Sequence, residues 1–173
     1  MGQAIGKCPR KKLFKFYIDL EMQLLEFDRC RKIFERQIQV FSFMTDSWVS
    51  YATFESNLGE LERCRQIFEI AIQQEELDMP EGVWKAYIDF EISQKHYENA
   101  RSLYQRLLII TKHVKVWISY AKFEQDNVKS YELANAIYEK AYQYFKSEEP
   151  ELKEERILII ESWAALEGWK HGL

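Results

Sequence analysis

A pattern that returns at intervals of 34, 36, 33 and 43 residues constrains this chain more than any other feature. An aromatic or large apolar residue is followed three positions on by Tyr or Trp, four on by Ala or Ile, six on by Phe or Leu, and seven on by Glu. The copies are Phe14, Tyr17, Ile18, Leu20, Glu21; Trp48, Tyr51, Ala52, Phe54, Glu55; Trp84, Tyr87, Ile88, Phe90, Glu91; Trp117, Tyr120, Ala121, Phe123, Glu124; and Ile160, Trp163, Ala164, Leu166, Glu167. Aromatic residues make up 15% of the chain. An aromatic in the second slot of all five copies then has a chance on the order of one in ten thousand, so repetition is the better explanation. A period of this size implies supersecondary units that bury their apolar faces only by stacking on neighbours.

A second pattern follows each of the first four copies: Cys30-Arg31-Lys32-Ile33-Phe34-Glu35, Cys64-Arg65-Gln66-Ile67-Phe68-Glu69, Ala100-Arg101-Ser102-Leu103-Tyr104-Gln105 and Ala134-Asn135-Ala136-Ile137-Tyr138-Glu139. A small residue with apolar residues three and four on is one stripe of a helix, and further apolar residues one turn later extend it. Each repeat is therefore predicted as two helices, A then B. The connections Asn57–Glu60, Ser93–His96 and Gln125–Lys129 are short and polar, which makes the paired helices antiparallel. Pro9, Pro80 and Pro150 precede A helices, where a missing N–H is tolerated.

Helix geometry places a carboxylate where none is expected. At 100° per residue the five slots of helix A fall at about 0°, −60°, +40°, −120° and −20°, so the glutamate lies within the aromatic arc. An unpaired buried carboxylate costs several kcal/mol, and each one needs a donor. The recurring candidates are the helix B arginines Arg31, Arg65 and Arg101. The expectation is a clamp inside each repeat, with Glu55 held by Arg65.

Composition agrees with helices. Gly (6) and Pro (3) are scarce in 173 residues, whereas sandwiches and barrels use many turn residues. The 26 aromatic residues supply a core without disulfides or metal. The net charge of −4 excludes a global positive field, so any contact with nucleic acid has to be local. Cys8, Cys30 and Cys64 are an odd count without CxxC spacing and read as reduced thiols.

The sequence W-x-x-Y-[AI]-x-F-E followed by [AC]-R-x-[IL]-[FY]-E resembles the half-a-TPR (HAT) repeat. Within HAT proteins, Ala4-Ile5-Gly6-Lys7-Cys8-Pro9-Arg10-Lys11-Lys12-Leu13-Phe14-Lys15, Tyr17 to Glu21, Leu77-Asp78-Met79-Pro80, Trp84 to Glu91 and His113 to Ser119 resemble the later repeats of crooked neck-like splicing proteins. The resemblance covers nearly the whole chain. The expected fold is all-α, a right-handed α-solenoid of antiparallel helix pairs. It runs over 1–173 as one array: 1–6 ending a preceding repeat, repeats at about 10–42, 45–76, 80–111 and 113–146, and 150–173 as the first helix of a fifth. What the resemblance implies for function is a nuclear, non-enzymatic scaffold of the spliceosome, part of the NineTeen complex, that binds other splicing proteins and needs no cofactor. The alternative is a HAT scaffold in mRNA 3′-end cleavage or ribosomal RNA processing. Asn135 replaces the arginine in the fourth copy, and no fifth B helix follows Trp163 and Glu167 before Leu173. The expectation is a piece of a longer array, whose apolar ends would make it self-associate.

Other residues carry weaker chemistry. Gly2, Gly6 and Lys7 imitate a phosphate loop but lack its spacing and its Ser or Thr. Cys30 and Cys64 fill the slot that Ala100 and Ala134 fill, which is a packing position. His96, His113 and His171 share no metal-ligand spacing with them. Glu148 and Glu149 sit in an acidic connector, 146–155, read as solvated. The basic run Lys7, Arg10, Lys11, Lys12 and Lys15 is a candidate contact for RNA phosphate or an acidic partner.

Overall fold

The helical stripes fold as helices and nothing else: among the described residues there are nine α-helices, one π-helical turn and no strand. The computed structural model describes residues 10–170. The first pair is α1 (Lys11–Gln23) and α2 (Phe27–Val40), and the second is α3 (Thr45–Asn57) and α4 (Leu61–Ala71). The third is α5 (Pro80–Ser93) and α6 (Tyr97–Ile110). In the fourth, α7 (Val114–Phe123) continues into a π-helical turn (Glu124–Val128) before α8 (Tyr131–Ser147), and α9 (Lys153–Lys170) follows. The A pattern thus lies on the odd-numbered helices and the B pattern on the even ones.

The chain divides into two units, Met1–Tyr87 and Ile88–Leu173, the division falling within α5. In the first, α1 packs on α2, α2 on α3, and α3 on α4. In the second, α6 packs on α7, α7 on α8, and α9 on both α7 and α8.

One turn, used three times, reverses the chain between A and B. Leu25, Gly59 and Lys95 adopt left-handed backbone, with φ of 58°, 80° and 59°. Their N–H groups donate to the carbonyls of Met22, Ser56 and Ile92. The next N–H, of Glu26, Glu60 or His96, donates to the carbonyl of the motif glutamate at 2.9, 3.0 and 2.9 Å. This is the double closure of a Schellman end. The glutamate's backbone therefore closes helix A while its side chain faces the core.

The fourth repeat shows how an extra residue is absorbed. The motif glutamate precedes the small residue of helix B by nine positions in the first three repeats and by ten from Glu124 to Ala134. A π-helical turn holds the surplus. Left-handed backbone recurs at Lys129 with φ 63°, and Ser130 N–H reaches the Glu124 carbonyl at 3.0 Å. The predicted connection Gln125–Lys129 is thus largely π-helical, because helix A continues past its glutamate before turning.

Burial follows the slots. Cys30, Cys64, Ala100 and Ala134 are all 0% exposed, where a larger side chain would hold the helices apart. Phe14, Trp48 and Trp84 are buried, while Trp117 is half-buried. Ile160, the first-slot residue of the fifth copy, is 48% exposed and departs from the pattern.

The segment before α5 is tied back to the start of α3. Asp78 accepts the Thr45 N–H on Oδ1 at 2.8 Å, and Thr45 Oγ1 donates to the Met79 carbonyl at 2.8 Å. Asp78 N–H donates to the Phe43 carbonyl at 2.8 Å. A helix N-terminus leaves amide donors open, and here the following repeat supplies the acceptor.

Candidate interaction surface

The motif glutamates are buried as helix geometry requires: Glu21 is 3% exposed, Glu55 and Glu91 0%, and Glu124 1%. Their partners correct the expected clamp. Arg31 grips Glu55 with two parallel bonds, Nε to Oε1 at 2.9 Å and Nη2 to Oε2 at 3.0 Å. Arg101 grips Glu124 in the same way, at 2.7 and 2.9 Å. Each arginine belongs to helix B of one repeat and each glutamate to helix A of the next. The physical reason lies in the packing: helix B has an A helix on either side, and the arginine slot faces the later one. Arg65 donates to Glu62 instead of Glu55.

Each of the three helix B arginines is steadied by an acid three residues earlier: Asp28 for Arg31, Glu62 for Arg65 and Glu98 for Arg101. Within a repeat, the residue eight positions after the glutamate approaches it from the other side. Arg29 is 3.5 Å from Glu21, Arg63 is 3.7 Å from Glu55, and Asn99 donates to Glu91 at 3.1 Å. His96 Nδ1 lies 3.3 Å from Glu91. Paired hydrogen bonds to Glu55 and Glu124 push the Arg31 and Arg101 guanidinium groups still further toward the charged form.

The aromatic slots complete the same seam. Phe34 stacks on Tyr51 (ring centroids 5.1 Å, interplanar 6°), Phe68 on Tyr87 (4.9 Å, 12°) and Tyr104 on Tyr120 (4.8 Å, 12°). Tyr138 and Trp163 repeat the arrangement at 6.4 Å and 16°. In every case a helix B ring meets the second-slot ring of the next A helix. Tyr17 makes an edge contact with Phe16 at 5.7 Å. Burial pushes the Tyr51 and Tyr138 hydroxyls up to about 12 and raises those of Tyr104 and Tyr120. Where Asn135 replaces the arginine, it accepts the Trp163 indole N–H at 2.7 Å. The Glu167 side chain lies outside the described residues.

These contacts occupy the motif's polar groups with packing. The Cys30 thiol is held by burial and by Glu21 above the ordinary thiol range, the opposite of an activated nucleophile. His113 accepts the Lys115 N–H at 3.2 Å and so caps α7. Gly2, Gly6, Lys7, Cys8 and His171 lie outside the described residues.

Of the basic run, Lys7 also falls outside them, Arg10 precedes α1, and Lys11, Lys12 and Lys15 are exposed on α1. Lys11 is joined to Asp46 at 2.6 Å. The three lysines border an open groove of about 600 Å³ between α1 and α3. Sequence reasoning found the charges. It missed the groove, because the repeat pattern specifies core contacts and most of the groove's lining lies outside the repeat slots.

Comparison with known proteins agrees with the repeat reading. A family model described as PRP39 N-terminal HAT repeat matches residues 10–116, and one described as PRP39 C-terminal HAT repeat matches residues 73–168. The chain is 50% identical over 169 residues to Crooked neck-like protein 1 of Homo sapiens, covering 96% of this chain and 20% of that protein. It is 47% identical over 187 residues to Pre-mRNA-splicing factor clf1 of Aspergillus fumigatus, covering 96% and 27%. It is 38% identical over 187 residues to Pre-mRNA-splicing factor cwf4 of Schizosaccharomyces pombe, covering 99% and 27%. The chain therefore spans a fifth to about a quarter of the length of the curated relatives it matches. Helix pairs joined through a buried glutamate, a stacked ring pair and an arginine from the preceding helix, together with matches that run across both halves of the chain, establish that it belongs to the HAT-repeat family.

Proposed function

We propose that this chain is a HAT array over 1–173 acting as a non-catalytic protein-interaction scaffold in pre-mRNA splicing, in the nucleus and alongside other spliceosome proteins of a NineTeen-like complex. The observation that carries the reading is the 50% identity sustained over 96% of the chain to a crooked neck-like protein. Repeat slots account for a minority of positions, so identity at this level extends well beyond the residues that the repeat itself requires. The structural roles of the motif residues support the same view. The glutamates, arginines and tyrosines that could carry acid–base chemistry are engaged in joining helices, and a group committed to packing is not free to transfer protons. RNA contact, in this reading, is peripheral and limited to the basic run at Lys7 to Lys15.

Affinity purification of the tagged chain from nuclear extract tests the proposal. Recovery of splicing factors is the expected result. Recovery of 3′-end cleavage or ribosome-assembly factors instead would transfer the chain to the alternative pathway.

A further inference from the structure

The N-terminal ends of α1 and α3 are pinned together by Lys11 and Asp46, and the groove runs from this end between the two helices. Its middle is walled by Ile18 and Val49, and its far end by Met22 and Leu58. From Lys11 to Met22 the α1 wall is about 16 Å long at 1.5 Å per residue. The groove is polarised. Lys12 and Lys15 stand at one end with no ion pair among the described residues, against the chain's overall charge of −4. Beyond them Ile18, Val49, Met22 and Leu58 form an apolar strip edged by the polar Ser50, Thr53 and Asn57, and Met22 at the far end is 41% exposed.

The geometry points to this groove as the docking site for an amphipathic helix of about three turns from a protein partner, with an apolar stripe and an acidic end. The charge pattern selects the acidic end, since free lysines at a groove rim attract carboxylates and disfavour basic segments. The length suits apolar residues at i, i+3 or i+4, and i+7. A strand is a poor occupant, because there is no sheet edge among the described residues for it to extend. RNA fits less well. Phe34 and Phe54 contribute to the floor but are each 5% exposed; Phe34 is stacked on Tyr51 and packs against Phe54 at a 40° tilt. No ring in the groove is presented to a base. This inference deepens the scaffold reading and rests on it.

Selection of a displayed library of 14-residue helices on the folded chain, followed by fluorescence anisotropy on the selected peptides, tests it. Thr53, exposed in the groove, is replaced in Thr53→Trp to fill it, and Lys12→Glu with Lys15→Glu reverses the rim; circular dichroism checks that both variants fold. The expected peptides carry an apolar stripe and Asp or Glu at one end. Thr53→Trp should weaken them about tenfold or more, and the double reversal should weaken them and invert the salt dependence, so that added salt strengthens the residual binding. Three results would overturn the proposal: selected helices without an acidic end, or binding indifferent to Thr53→Trp; poly(U) RNA binding that depends on Lys12 and Lys15 but not on Thr53; or self-association in sedimentation that Thr53→Trp abolishes, which would make a second copy the occupant. Splicing factors still recovered in the pull-down alongside any of these would remove the groove and leave the scaffold standing.

Discussion

At the scale of single residues, the helical glycine Gly82 and the exposed aspartate Asp78 have roles that their side chains alone do not announce. Glycine inside a helix is unfavourable by about 1 kcal/mol relative to alanine, so Gly82→Ala in α5 would ordinarily stabilise. A Cβ at Gly82, however, would sit 3.1 Å from Thr45 Cγ2, and Thr45 is held in place by both its N–H and its hydroxyl. Overpacking of this kind costs roughly 1–3 kcal/mol. Gly82→Ala is expected to lower stability by about 1 kcal/mol in urea denaturation; a gain would mean that Thr45 moves freely. Asp78 gives a pH signature. The Thr45 N–H holds its carboxyl below the usual carboxylate range, so its contribution is present above that range and lost as pH falls through the folded value. Asp78→Asn keeps an acceptor and loses the charge. The Tm gap between the two proteins should be largest near neutrality and close on acidification, and a gap that widens in acid would reverse the sign argument.

At the scale of elements, much was legible. The slots gave the A and B helices, the short connections and the buried carboxylates, because helical periodicity translates directly into faces. The partner of each carboxylate was not legible. Spacing shows that Arg31 and Arg65 share a face of helix B, but not whether that face meets the A helix before or after it. One further signal was present and unread: the interval of ten from Glu124 to Ala134, against nine elsewhere, marks the π-helical turn. Deleting Asp126 restores nine and brings Lys129 to the left-handed position. That variant should fold with a Tm within a few degrees of the parent, whereas deleting Leu58, which shortens a regular turn, should unfold the α3–α4 pair by circular dichroism. The turn position itself yields a paired test. Left-handed backbone costs a non-glycine residue roughly 1 kcal/mol. With nothing within 4 Å of a Cβ at Gly59, Gly59→Ala should lose about that amount and Lys95→Gly gain about as much in chemical denaturation. Equal effects of the same sign would discard the turn assignment.

At the scale of the whole molecule, the motif places much of its polar and aromatic chemistry between repeats. Nearest-neighbour interfaces of this kind let a repeat be added or varied while the surface between motif slots changes partner. This separation explains why the fold could be read from one sequence while the partner could not. It also locates the energy, and double-mutant cycles in equilibrium denaturation measure that location most directly. Arg31 and Glu55 belong to successive repeats and share two charge-assisted bonds, so Arg31→Met with Glu55→Gln should show a coupling of about 1–3 kcal/mol. Arg65 and Glu55 belong to one repeat and share none, so Arg65→Met with Glu55→Gln should couple by no more than a few tenths. Strong coupling of Glu55 to Arg65, with none to Arg31, would contradict the account.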